Sequence, residues 1–134
     1  MKELDIFEEN KFTQSFHLRY RDLNKIYNKL IEKAMAQSSD EKMIFFTYSG
    51  ESSMSSELSN GLYFKNKDKF IVVAYRKQAT ANISIRGKNA RKILLDAIKN
   101  IEGATGGGHE EACGARIPID KLDEFKSNIH NLIS

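Results

Sequence analysis

The densest run of chemically capable residues is Gly106-Gly107-Gly108-His109, followed by Glu110-Glu111-Ala112-Cys113-Gly114-Ala115. Three consecutive glycines remove every Cβ from one stretch of backbone, so a ligand can approach the main chain and consecutive N–H groups can converge on an anion. A short helix starting near His109 would add its free N–H groups there, and the imidazole would donate to a phosphate oxygen. Taken alone, the same triplet also reads as a surface turn. A second feature is Ser84-Ile85-Arg86, which closes the alternating run Asn82–Arg86. Ser84 and Arg86 then share one strand face, and an Arg fork beside a hydroxyl suits a phosphodiester. A solvated edge arginine is the plainer alternative.

Charge is concentrated rather than spread. The net +3 of the whole chain conceals nine basic residues and one acid between Lys65 and Lys92, a local +8 over 28 residues. Arg76, Lys88 and Arg91 belong to that segment and are candidate accessory contacts. A field of this kind attracts polyanions. Tyr63, Phe64 and Tyr75 lie in or beside it and could stack bases, although strand aromatics are more often core. Metal and nucleophile chemistry find less support. His109 and Cys113 are four apart, but a zinc site needs three or four ligands, and His17 and His130 have no supporting spacing. Cys113, between Ala112 and Gly114, reads as a packed small residue. No nucleophile elbow, phosphate-loop lysine or cluster of Asp and His is present, so no metal site is expected.

These residues must be positioned by the surrounding elements. Leu23, Ile26, Tyr27, Leu30, Ile31 and Ala34 form one helical stripe, which Ser38-Ser39-Asp40 ends. Residues 1–14 have no such period and read as an acidic arm, with residues 15–39 as a connector helix. Met43–Tyr48 and Phe70–Tyr75 are short apolar runs, predicted to be buried strands. Met54, Leu58 and Leu62 predict a short helix between them, with Asn60-Gly61 as its stop. Ala90–Ile101 gives the clearest helix, and Gly103 stands where a C-terminal glycine is favoured. Ala112–Ile119 reads as a strand, and Asp120 as the cap of a last helix carrying Leu122, Phe125, Ile129 and Leu132. The predicted fold is a single α/β domain: a mixed sheet of about four to five strands, flanked by helices and preceded by a connector helix.

Composition fits that fold. The chain has 134 residues, 40% of them hydrophobic and 29% charged, with 8 Gly and 1 Pro, which excludes collagenous and low-complexity classes. No apolar run is long enough to span a membrane, and the first residues, MKELDIFEEN, show neither the basic nor the apolar part of a secretory signal. The single Cys suits a reducing compartment. A cytoplasmic location is expected.

Gly106-Gly107-Gly108-His109 with Ala112 and Gly114-Ala115 resembles the GGGH-x-x-A-x-G-A signature of the DHH-associated (DHHA) domain. That domain is the C-terminal half of DHH phosphoesterases such as RecJ exonucleases and NrnA-type oligoribonucleases. A relative closes alanyl-tRNA synthetases. Ser84-Ile85-Arg86 is similar to the family's S-x-R strand. Tyr48-Ser49-Gly50-Glu51-Ser52-Ser53 resembles the corresponding loop of archaeal RecJ-like members. Cys113 stands where relatives usually have Ala. The resemblance covers residues 40–134 and makes the Leu23 helix the connector between the two halves.

The resemblance implies a domain that holds nucleic acid for a catalytic partner. Ser84, Arg86, Gly106, Gly107, Gly108 and His109 would contact phosphate, with Ser52, Ser53, Arg76, Lys88 and Arg91 as accessory residues. The partners implied are a single-stranded DNA or RNA, or a short oligonucleotide, and a DHH domain in cis or trans. The chain carries no Asp-His-His triplet, so no catalytic residue is assigned and no cofactor is expected within it. Manganese is implied for the DHH half alone, whose parent would be a manganese-dependent phosphodiesterase. Two alternatives stand beside this reading. One is a small phosphoesterase using His109 as general acid or base. The other is a regulatory module that senses a nucleotide or docks a partner.

Overall fold

The computed structural model describes the backbone of residues 6–37, 40–50 and 53–134, and side chains from Asp22 onward within those ranges. Helix α1 spans Ile6–Gln37, so a helix starts far upstream of Leu23, where the apolar period begins. Long charged side chains are adequate helix formers, and a helix can continue where no buried stripe marks it. Tyr27, Leu30, Ile31 and Ala34 pack onto the domain, while Leu23 and Ile26 stay exposed.

Strand β1 is Met43–Tyr48, helix α2 Ser55–Lys65, and β2 Phe70–Lys77. β1 and β2 are parallel and joined by α2. The turn at Gln78-Ala79 returns the chain as β3, Thr80–Arg86, antiparallel to β2. Helix α3 is Ala90–Ile98, followed by β4, Thr105–Gly108, and β5, Ala112–Pro118. A 3-10 turn, Ile119–Lys121, leads into α4, Leu122–Ile133. The five strands are ordered β1-β2-β3-β5-β4, a mixed sheet with two helices on each face, as the predicted fold class requires.

The sheet divides the interior into two cores. Ile44, Phe46, Ile71 and Val73 face α1 and α2, where Leu58 and Leu62 are fully buried. Val72, Ile83 and Ile85 face α3 and α4, against Leu94, Phe125 and Ile129. Covered on both sides, β2 is buried from Phe70 to Tyr75, and for that reason its sequence is a continuous apolar run instead of an alternating one.

Five local expectations change. Asn60-Gly61 does not stop α2, which continues to Lys65. A Cβ at Gly61 would collide with the hydroxyl of Tyr27, so this glycine serves the close approach of α1 and α2. Gly106–Gly108 form edge strand β4 and not a turn, because β5 offers them a pairing partner. No helix begins at His109; the chain reverses there in a hairpin closed by His109 N–H to the Ala112 carbonyl at 2.9 Å. Asp120 makes no capping hydrogen bond and lies in the 3-10 turn ahead of α4. Gly103 has φ +84°, but five residues after the end of α3, in the turn that leads to β4.

Candidate functional site

Strand pairing decides which side chains share a face. Ser84 pairs with Gly114, and Gly114 with Gly107; Arg86 pairs with Ala112; Asn82 pairs with Arg116, and Arg116 with Thr105. All of them project on the face that carries α2. That helix reaches only as far as β3, so Gly114, Arg116 and Thr105 are exposed. The result is an open strip floored by Gly107 and Gly114. Arg86 and Arg116 flank it, four residues apart along the paired strands, or about 13 Å at strand rise.

The three glycines of the motif have different reasons to be glycine. A Cβ on Gly106 would press on Ala115 and Leu94, on the α3 side of the sheet. Gly108 has φ +144° and a Cβ there would lie 2.8 Å from the Ala112 carbonyl, so the hairpin itself demands glycine. At Gly107 a Cβ would meet nothing within 4 Å. Packing does not require that glycine; it keeps the open strip flat.

Arg86 is held from several sides. Its Nε donates to Asn60 Oδ1 at 2.7 Å, and Nη1 to the Ile85 carbonyl at 2.8 Å and Ser84 Oγ at 3.3 Å. Nη2 has only a long contact, 3.4 Å to Ser56 Oγ. Ser59 Oγ donates to the Ser56 carbonyl at 3.0 Å and lies 3.0 Å from Ser84 Oγ. A hydroxyl has a single proton, which fixes the direction of the chain. Arg86 donates to Ser84, Ser84 to Ser59, and Ser59 to the α2 backbone. This relay locks the guanidinium and leaves Nη2, its weakest-bound nitrogen, available to a ligand oxygen. Tyr48 steadies the start of α2 by accepting from Met54 N–H at 2.7 Å and bonding Ser55 Oγ at 2.9 Å.

Partial burial pulls the Arg86 guanidinium below its ordinary pKa, opposed by the nearby Cys113. An arginine keeps its charge at neutral pH through any such shift. Burial pushes the Cys113 thiol up, against the pull of Arg91 and Arg86, and its Sγ donates to the His109 carbonyl at 3.0 Å. Cys113 therefore braces the hairpin, and its burial favours the neutral thiol.

The structure brings Ser84, Arg86 and Gly107 onto one face, with exposed His109 at the hairpin tip beyond the same strand ends. Gly106 and Gly108 face the other way. Arg91 adjoins the hairpin, its N–H bonded to the Glu110 carbonyl, and Lys88 follows two residues after Arg86. Arg76 pairs with Ala81 at the opposite end of the strands and joins no site residue. Ser53 is exposed ahead of α2, and Ser52 lies outside the described residues. Sequence reasoning did not single out Ser56, Ser59, Asn60 or Arg116. The i, i+3, i+4 spacing of the first three and the period-two series Ala112, Gly114, Arg116 were the available signals.

Among the described residues no group of three or more His, Cys, Asp or Glu could hold a metal ion. The residues described thus do not fit the manganese implied for a DHH half, and no step is routed through it. No described helix is long and apolar enough to cross a membrane.

Comparison with curated proteins returns no match. Among solved structures, RecJ of Thermus thermophilus in complex with Mg2+ superimposes with a TM-score of 0.77 at 16% identity, covering 98% of this chain and 21% of that one. An exonuclease RecJ bound to manganese gives 0.73 at 14% identity, over 96% of this chain and 33% of that one. The C-Ala domain of alanyl-tRNA synthetase from Aquifex aeolicus gives 0.59 at 19% identity, over 69% and 90%. At these identities the likeness is one of fold, and this chain spans about a fifth to a third of the RecJ chains. The DHHA1 domain family matches residues 40–134. With that match over most of its length, the chain belongs to the DHHA1 domain family.

Proposed function

We propose that this chain is the nucleic-acid-binding part of a RecJ-like DHH phosphoesterase, of the archaeal flavour suggested by its Tyr48–Ser53 loop. Residues 40–134 form the binding domain, and helix α1, which runs through the boundary expected between an arm and a connector, is the connector. A single strand lies along the open strip. Arg86 Nη2 and the Ser56 hydroxyl take one phosphate, the His109 imidazole a neighbouring oxygen, and Arg116 the far end. The flat glycine floor lets the sugar–phosphate backbone come close. Catalysis would belong to a DHH domain, in cis or trans, which would hold the manganese; the setting is the cytoplasm.

The observation that carries this reading is Arg86 itself. A semi-buried arginine clamped through Nε and Nη1, with Nη2 left to a single 3.4 Å contact beside a bare glycine strip, is prepared for an anion. Charge-assisted hydrogen bonds of this type contribute about 1.5–3 kcal/mol. Arg86→Ala is therefore expected to weaken binding of a labelled single-stranded oligonucleotide by about 10- to 100-fold, measured by fluorescence anisotropy at low salt. Binding by the wild type should itself weaken steeply between about 50 and 200 mM salt. Undiminished affinity in the variant, or no wild-type binding at low salt, overturns the proposal.

A further inference from the structure

The end of the sheet that carries Arg86 also carries a second basic concavity, on the other side of the β3 terminus. A cleft of about 440 Å³ is lined by Lys42, Lys67, Lys69 and Lys88 over a floor that includes Phe70 and Leu132, with Asp68 its one acid. Backbone geometry explains the convergence. Phe70 N–H bonds the Lys42 carbonyl at 2.8 Å, which sets the start of β1 beside the start of β2. The Gly87 turn passes directly over the Phe70 ring, where a Cβ would come within 2.7 Å, and delivers Lys88 to the same place. Two further acids, Asp40 and Glu41, precede Lys42; Asp40 is engaged by His130 at 3.4 Å and by the Lys42 N–H at 2.8 Å, and its carbonyl accepts from Lys69 Nζ at 3.4 Å.

Phe64 extends this rim. It is 76% exposed at the end of α2, one helical turn beyond Asn60, the partner of Arg86. The Lys67 ammonium lies 5.4 Å from its ring centroid, so the ring and the cleft are contiguous. An exposed aromatic face beside several ammonium groups is the combination that single strands use, with a base on the ring and phosphates on the cations. Lysines alone are common on solvated faces; here four of them surround one cavity, with a phenyl ring that is 76% exposed at its margin.

We propose that this cleft is a second subsite for a single-stranded nucleic acid, taking phosphates beyond the one at Arg86 while Phe64 stacks an unpaired base. The proposal rests on the Arg86 reading for the strand's identity, but it assigns new residues and adds a dependence on ligand length. A thymidine dinucleotide, with one phosphodiester, reaches only the Arg86 end of the strip, whereas a twelve-nucleotide oligothymidylate reaches the cleft as well.

The test titrates both ligands, by anisotropy, against the wild type, the double variant K42Q/K67Q, Phe64→Ala and Arg86→Ala, with circular dichroism as the check on folding. The wild type should bind the longer ligand at least about 10-fold more tightly. K42Q/K67Q should lose most of that gain, and its salt slope should fall by about two, one per lysine removed. Phe64→Ala should weaken the longer ligand about fivefold or more. The cleft is excluded if the wild type shows no length dependence, if K42Q/K67Q binds the longer ligand as well as the wild type does, or if both ligands weaken equally, as a general field would give. A double variant that loses the length gain while Arg86→Ala changes neither ligand would keep the cleft and refute the phosphate role of Arg86. Inorganic pyrophosphate provides the last arm. Competition with the longer ligand that K42Q/K67Q abolishes supports a phosphate subsite; failure to compete at the wild-type cleft counts against one.

Discussion

Arg86 shows how a folded chain prepares a cation without spending its charge. Asn60 and the Ile85 carbonyl fix the plane of the guanidinium, and the Ser84–Ser59 relay carries the restraint into α2. The glycines divide a different task. Gly108→Ala should destabilise the domain by about 1–3 kcal/mol, because it forces a side chain into positive φ against backbone. Gly107→Ala should change thermal stability by less than about 0.5 kcal/mol, since its methyl meets nothing, yet it should weaken oligonucleotide binding by roughening the floor. Equal stability losses in the two variants, read from denaturant midpoints, would contradict this division. Cys113 adds a pH dependence. Its thiol pKa is raised in the folded state, so the neutral form is favoured by folding. The stability it contributes is complete below the ordinary thiol range and is lost as pH rises through the folded value. Native Cys113 should therefore react slowly with iodoacetamide near neutral pH. Cys113→Ala should show a smaller stability loss than the wild type between about pH 8 and pH 11.

At the scale of elements, α2 is the part that holds Ser84 and Arg86 of the proposed site. It bridges the parallel pair β1 and β2, buries Leu58 and Leu62, and turns Ser56, Ser59 and Asn60 toward β3. Ser59 is fully buried, and Ser59→Ala interrupts the relay, leaving the Ser84 hydroxyl without its acceptor. A loss of about 1–3 kcal/mol is expected in chemical denaturation, together with weaker binding through a looser Arg86. Loss of stability without any change in binding would show that the relay supports packing alone. This element also marks how much the sequence revealed. Strands β1, β2 and β3 and the helices with apolar stripes were legible, because burial imposes a period that hydrophobic residues must follow. Edge strand β4 was not, since three glycines carry no period at all, and pairing with β5 made them a strand. The role of α2 escaped for a related reason: its site-forming residues are small and polar, and only the packing partner reveals which face they occupy. Ser84 and Arg86 were legible as a pair because strand alternation alone puts them together.

Across the whole molecule, charge and topology coincide. Seven of the nine basic residues between Lys65 and Lys92 lie around the end of the sheet where β2 begins, β3 ends and the β4–β5 hairpin turns, while Arg76 and Lys77 close β2 at the other end. The small net charge of +3 is thus an average over an uneven surface, in which Arg86, Lys88 and the lysine cleft share one rim. Arg76 lies at the other end of the strands and serves as an internal control. Arg76→Ala should lower affinity only modestly, as one screened charge does, whereas Arg116→Ala should cost several-fold more because it borders the strip. The most direct measurement is an amide NMR titration of the chain with a short single-stranded oligonucleotide. The account predicts shifts concentrated at Ser56, Asn60, Arg86, Gly107, His109 and Gly114, which the Arg86→Ala variant suppresses. Shifts clustered instead around Arg76, or around the outer face of α4, or absent at ligand excess and low salt, would contradict it.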